Sequence, residues 1–159
     1  MNLLILILAT IISNPSLTVK STAFANNNYI PLKYTCDGPN VNPALVIEDI
    51  PKNSKSLVVI MDDTDSPNGE FTHWLMWNIP PKKHIVENSA PGIQGVNSML
   101  QNKYYGPCPP NGMHKYNFKV YALDVIIDLP KTADKKALLT AIEGHVLSKG
   151  VLIGSYYRQ

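Results

Sequence analysis

The chain has 159 residues, a formal net charge of +2, 45% hydrophobic residues and 16% charged residues. That length makes one domain with a core of its own. So small a charge, with lysines scattered and no basic stripe, excludes nucleic-acid binding. The low charged fraction, with many Pro, Asn, Ser and Thr, favours strands and ordered loops over solvated helices.

The chain opens on MNLLILILATII, an apolar run too short to span a bilayer. It reads as the apolar region of an export signal, although only the α-amino group supplies positive charge. Ala23-Phe24-Ala25 matches an A-x-A processing pattern, but it lies well beyond the apolar run, with Lys20 between. Cleavage is expected nearer Ser13 to Ser16, giving a signal over 1–16, a mature domain over 17–159 and no transmembrane segment after processing. The expected location is periplasmic or secreted. If the run is instead a buried first strand, the location is cytoplasmic.

In an exported chain, two cysteines, Cys36 and Cys108, are expected to pair. Closing so long a loop contributes about 4 kcal/mol in the chain-entropy model. In a cytosolic chain they would be free thiols.

The remaining pattern is strand-like nearly throughout. LTVKSTAF alternates weakly. ALVIEDIP and SLVVIMDD are short β-branched runs bounded by turn residues, and HWLMWNIP stops at Pro80-Pro81. Residues 82–110 are rich in Pro and Gly and read as a long loop, a feature usually kept for function. YNFKVYALDV is the clearest strand, with Tyr116, Phe118, Val120 and Ala122 on one face. A helix follows. Thr132 is its expected cap, and Asp134 suits the first turn. Ala137, Leu138, Ala141, Ile142 and His145 form its apolar stripe, and Gly150 is its expected end. VLIGSYY is the last strand. Short strands with turn signals and one late helix predict a mainly β fold, an antiparallel β-sandwich of two sheets. No internal repeat and no linker divide it.

Two clusters carry chemistry. MDDTDSPNGEFTHW sets Asp62, Asp63 and Asp65 at the end of an apolar strand and His73 on the return. Turn capping explains the aspartates equally well. YYGPCPPNGMHKY delivers His114, Lys115 and Tyr116 from a stiff Pro/Gly loop to the start of the best strand. Backbone N–H groups, an imidazole and a phenol are donors suited to phosphate or carboxylate oxygens; a stiff connector with a surface histidine is the alternative. Ser66, His73 and Asp63 have hydrolase-triad types without the G-x-S-x-G elbow. His73, His114 and the aspartates could hold zinc but lack a local spacing motif. His84 and His145 need no role, His84 lying in a loop and His145 packing on the helix face.

DDTDSPNGEFTHWLMWNIP and YYGPCPPNGMHKYNFKVYALD resemble the two signatures of the phosphatidylethanolamine-binding protein family. AFANNNYIPLKYTCDG and GHVLSKGVLIGSYYR are similar to the start and end of its bacterial and archaeal branch, often labelled Raf kinase inhibitor-like. The resemblance spans about Leu17 to Arg158 and places Ala23-Phe24-Ala25 inside the family's first strand. It implies a sandwich with a small anion pocket at one end, taking phosphate or a phospholipid headgroup without a cofactor or catalysis. It assigns Asp63, Asp65, Pro67, His73, His114 and Tyr116 to that pocket, with Gly106, Pro109 and Pro110 in its wall. Two departures stand out: Thr64 replaces a proline, and Lys115 replaces an arginine, which removes any bidentate fork there. The acids are expected to orient donors and not to grip a cation, and the histidines to carry positive charge when a ligand is bound. Kinase or protease partners are implied by resemblance only, and a protease inhibitor or a metal-dependent hydrolase are the alternative functions.

Overall fold

A computed structural model describes residues 16–158. The expected export signal therefore lies, apart from Ser16, outside the described residues. The strands are β1 (Thr18–Lys20), β2 (Asn28–Tyr29), β3 (Leu45–Glu48), β4 (Ser56–Asp63), β5 (Phe71–Ile79), β6 (His84–Ile85), β7 (Ile93–Gln94), β8 (Met113–Leu123) and β9 (Val146–Tyr157), with helix α1 (Lys135–Ile142) before β9. They form two sheets, β1-β3-β6 and β2-β9-β8-β4-β5-β7. The mainly β sandwich with one late helix is as the sequence predicts. One pairing departs from the antiparallel rule: β2 runs parallel to β9, Asn28 beside Gly154.

Strand β4 explains the layering. All eight of its residues are buried, because both faces of the large sheet are covered. Leu57, Val59 and Met61 face the small sheet, in a core with Leu45, Ile47, Trp74, Phe118 and Leu152. Val58 and Ile60 face the other way, with Leu75, Trp77, Leu138 and Ile142 under α1. A strand buried on both sides reads as a continuous apolar run, which is what SLVVIM is.

Several expectations are corrected. Helix α1 is capped by Asp134, whose side chain accepts from the Ala137 amide, and not by Thr132. It ends at Ile142, ahead of Gly144 at φ 79°, so Gly150 lies within β9. A glycine in the left-handed region is the ordinary helix stop, and the earlier of the two glycines took that place. His145 accordingly leaves the helix face and pairs at the surface with Asp124, 2.9 Å away. His84 sits in edge strand β6 and not in a loop, opposite Val46. Ala23-Phe24-Ala25 lies between β1 and β2 and not within a strand. Phe24 is buried there against Phe118, ring centroids 5.9 Å apart. Cutting at that point would strip off β1 and the buried Leu17 and Val19.

Cys36 and Cys108 form a disulfide with a sequence separation of 72. The same junction is held by the Cys36 amide on the Pro107 carbonyl (3.1 Å) and the Gly106 amide on Asn40 Oδ1 (2.7 Å). Replacing both cysteines with serine is expected to lower stability by about 4 kcal/mol, measured as the shift in urea unfolding against the oxidised wild type.

Candidate functional site

Side chains alternate along a strand, so the consecutive acids ending β4 part company. Asp62 points to the α1 side. It is fully buried, accepts from Thr72 Oγ1 (2.9 Å) and takes Lys119 Nζ at 2.9 Å and Lys135 Nζ at 2.7 Å. Glu70 completes this network by binding both lysines, and Lys135 holds its carboxyl below the usual range. A buried carboxylate with that many partners is a structural tie between sheet and helix.

Asp63 points into the sandwich. Its Oδ2 accepts from His114 Nδ1 at 2.7 Å, and its Oδ1 accepts from the Asp65 amide at 2.9 Å. Asp65 in turn accepts the Lys115 amide at 2.8 Å. The two loops of the paired motifs are therefore laced together by carboxylates. A backbone bond at Lys115 does this joining, so the lysine in place of arginine leaves it intact. Because Asp63 is the acceptor, His114 carries a proton on Nδ1, and Nε2 is left for another partner.

His73 is placed by an irregularity. In the β4–β5 pairing Met61 faces Trp74 and Asp62 faces Thr72, so His73 has no counterpart on β4. Such a bulge re-aims a side chain. Here the imidazole joins Tyr105, stacked at 5.6 Å and 14°, and Tyr116, edge-on at 5.2 Å, with Phe71 at 4.8 Å. His73 Nδ1 donates to the Tyr105 carbonyl at 2.8 Å, which fixes the tautomer. Burial pushes its pKa down, against the opposing pull of the Tyr105 carbonyl and Asp63. The two histidines thus differ in setting: burial favours the neutral form of His73, whereas His114 is bonded to a carboxylate.

Tyr116 is fully buried, opposite Asp63 in the β4–β8 register, and its hydroxyl has no hydrogen-bond partner among the described residues. Burial first, then the Asp63 charge, push its pKa far up, so the group is a fixed neutral donor. The Cys108 backbone works against that rise without reaching hydrogen-bond geometry.

The structure thus brings together Asp63, His73, His114 and Tyr116, with Asp65 one bond away. Gly106 is buried in the wall, where a Cβ would meet the Tyr34 carbonyl oxygen at 2.3 Å. Pro109 is buried, whereas Pro110 and Pro67 lie at the surface, Pro67 in a turn closed by Gly69 on Ser66. Sequence reasoning missed Tyr105 and Asn97. Asn97 is buried and donates to the His73 carbonyl at 3.3 Å. The aromatic pair Tyr104-Tyr105 inside a Pro/Gly loop was the available signal for the first; nothing marked the second. Among the described residues no three His, Cys, Asp or Glu side chains are grouped to hold a metal ion.

A two-layer sandwich with a polar cluster buried at one end, fed by two motif loops, defines a binding-protein architecture. The chain belongs to the phosphatidylethanolamine-binding protein family, whose model matches residues 20–157. A UPF0098 protein of Pyrococcus horikoshii is 48% identical over 150 residues, covering 87% of this chain and 76% of the relative. The crystal structure of a phosphatidylethanolamine-binding protein homologue from Chlamydia trachomatis superposes with a TM-score of 0.88 at 35% identity, covering 92% of this chain and all of that one. The fold is shared with YbcL of E. coli at a TM-score of 0.84 and 22% identity, covering 91% of this chain.

A histidine whose folded pKa lies below the unfolded value of 6.5 contributes stability that is present above that value and lost as pH falls below it. The wild type should therefore lose more stability than His73→Asn between about pH 7.5 and about pH 5. Urea unfolding of both proteins at the two pH values checks this; equal losses would contradict a buried neutral ring.

Proposed function

We propose that the protein is a non-catalytic binding protein whose end cluster takes a small phosphate-like anion, free or as a phospholipid headgroup. The single observation that carries this reading is the fully buried Tyr116 hydroxyl, without a partner among the described residues. A buried polar group left unpaired costs about 1–3 kcal/mol, and a ligand oxygen would relieve that cost. His114 supplies a second polar contact: Asp63 accepts from its Nδ1 and fixes the ring, which leaves Nε2 for a ligand group. His73, Tyr105 and Phe71 surround the position with aromatic rings, and a site of lower dielectric strengthens each bond made there.

The same geometry favours binding over hydrolysis. Both ring Nδ1 atoms are committed, one to a carbonyl and one to a carboxylate, and Ser66 stands in the exposed turn on the far side of Asp65 in sequence. The Cys36–Cys108 bridge supports placing the protein in an oxidising compartment.

His114→Ala is expected to weaken inorganic phosphate binding at least tenfold, about 1.4 kcal/mol, by calorimetric titration; unchanged affinity would reject the site. Tyr116→Phe separates ligand from fold. Removing the unpaired hydroxyl should leave thermal stability equal or higher, while phosphate affinity falls roughly tenfold. A variant that loses stability and keeps affinity would overturn the donor role.

A further inference from the structure

Residues 97–103 form a closed ring around one side chain. Asn97 Oδ1 accepts from the amides of Met99 (2.9 Å) and Gln101 (3.0 Å), and its Nδ2 donates to the Lys103 carbonyl at 2.9 Å. The ring is anchored to β5 through the His73 carbonyl. It turns its tip outward. Leu100 is 84% exposed and Met99 43% exposed. Leu100 also has a φ of 59°, a region that a bulky apolar side chain rarely adopts. The most exposed large apolar residue among the described residues is thus held on strained backbone, fixed in place from beneath.

The surroundings of the tip are basic. Lys103 closes the ring. Lys131 is tied to it by Asn102 Nδ2 on the Lys131 carbonyl. Lys136 lines, with Leu100 and Ser98, a shallow hollow of about 270 Å³ at the start of α1. All three lysines are exposed and form no ion pair among the described residues. The nearby charges do not cancel them. Lys135 is neutralised within the Asp62–Glu70 network, and the Asp134 carboxylate, which caps the helix, is one acid against three free cations.

We propose that this tip docks on an anionic lipid bilayer, Met99 and Leu100 entering the headgroup boundary and Lys103, Lys131 and Lys136 facing the lipid phosphates. Two apolar side chains fall far short of the roughly 800 Å² per partner of a stable protein interface. A small apolar wedge ringed by cations is what an anionic membrane surface binds. The inference does not depend on what fills the Tyr116 cluster.

Flotation with vesicles of phosphatidylcholine containing about a third phosphatidylglycerol, against pure phosphatidylcholine, tests it at low salt. The wild type should float with the anionic vesicles at least tenfold more than with the neutral ones. Leu100→Asn suits the left-handed backbone and should keep the melting temperature while lowering flotation at least fivefold. Met99→Ser serves as the second variant should that one not fold, with the same loss expected. Paired Lys103→Glu and Lys136→Glu should abolish flotation. Wild type that stays below the anionic vesicles overturns the proposal. So does a folded Leu100→Asn, or a folded Met99→Ser where that one serves, that floats like wild type, which would leave the tip to a protein partner or the binding to charge alone.

Discussion

The organisation of this molecule follows from one strand being covered on both faces. β4 lies third from one edge of the large sheet, with the small sheet on one side and α1 on the other. At its end the apolar run gives way to two acids, and the strand's alternation delivers one to each layer. Neither could be left unpaired at that depth. Asp62 is met by two lysines and a threonine, Asp63 by an imidazole and the backbone of its own loop. A structural tie and a candidate binding group are thus neighbours in sequence, separated by the thickness of the sheet.

The two histidines illustrate how environment divides one residue type into two roles. His73 is enclosed by rings and hydrogen-bonded to a carbonyl, which leaves it neutral and sets its orientation. His114 faces a carboxylate at salt-bridge distance. The first is suited to shaping a cavity and the second to joining the two motif loops through Asp63. The Tyr116 ring lies edge-on to the one, and Tyr116 stands across the register from the other's carboxylate partner, so the three side chains share one cluster.

Much of this was legible in the sequence. The run SLVVIM marked a buried strand, the alternation from Tyr116 to Ala122 put those residues on one face of β8, and the paired motifs named Asp63, His73, His114 and Tyr116. The remainder depended on geometry that residue types do not encode. The bulge at His73 is a matter of register between strands, and nothing in THWL specifies it. The split between Asp62 and Asp63 required knowing that a helix covers the second face. The helix end was misplaced because two glycines competed as its stop, and only backbone conformation distinguishes Gly144 from Gly150. Asn97 was invisible because its role lies in closing a loop on itself.

The parallel pairing of β2 with β9 has a consequence for how the chain is completed. Residues near the start of the domain wait for Gly154 and Ser155, near its end, before their backbone groups find partners. Contacts of such long sequence separation form late and slowly. A nascent chain therefore cannot close this edge of the large sheet before Gly154 and Ser155 have been made, and Ile30, which packs against Gly154, has no seat until then.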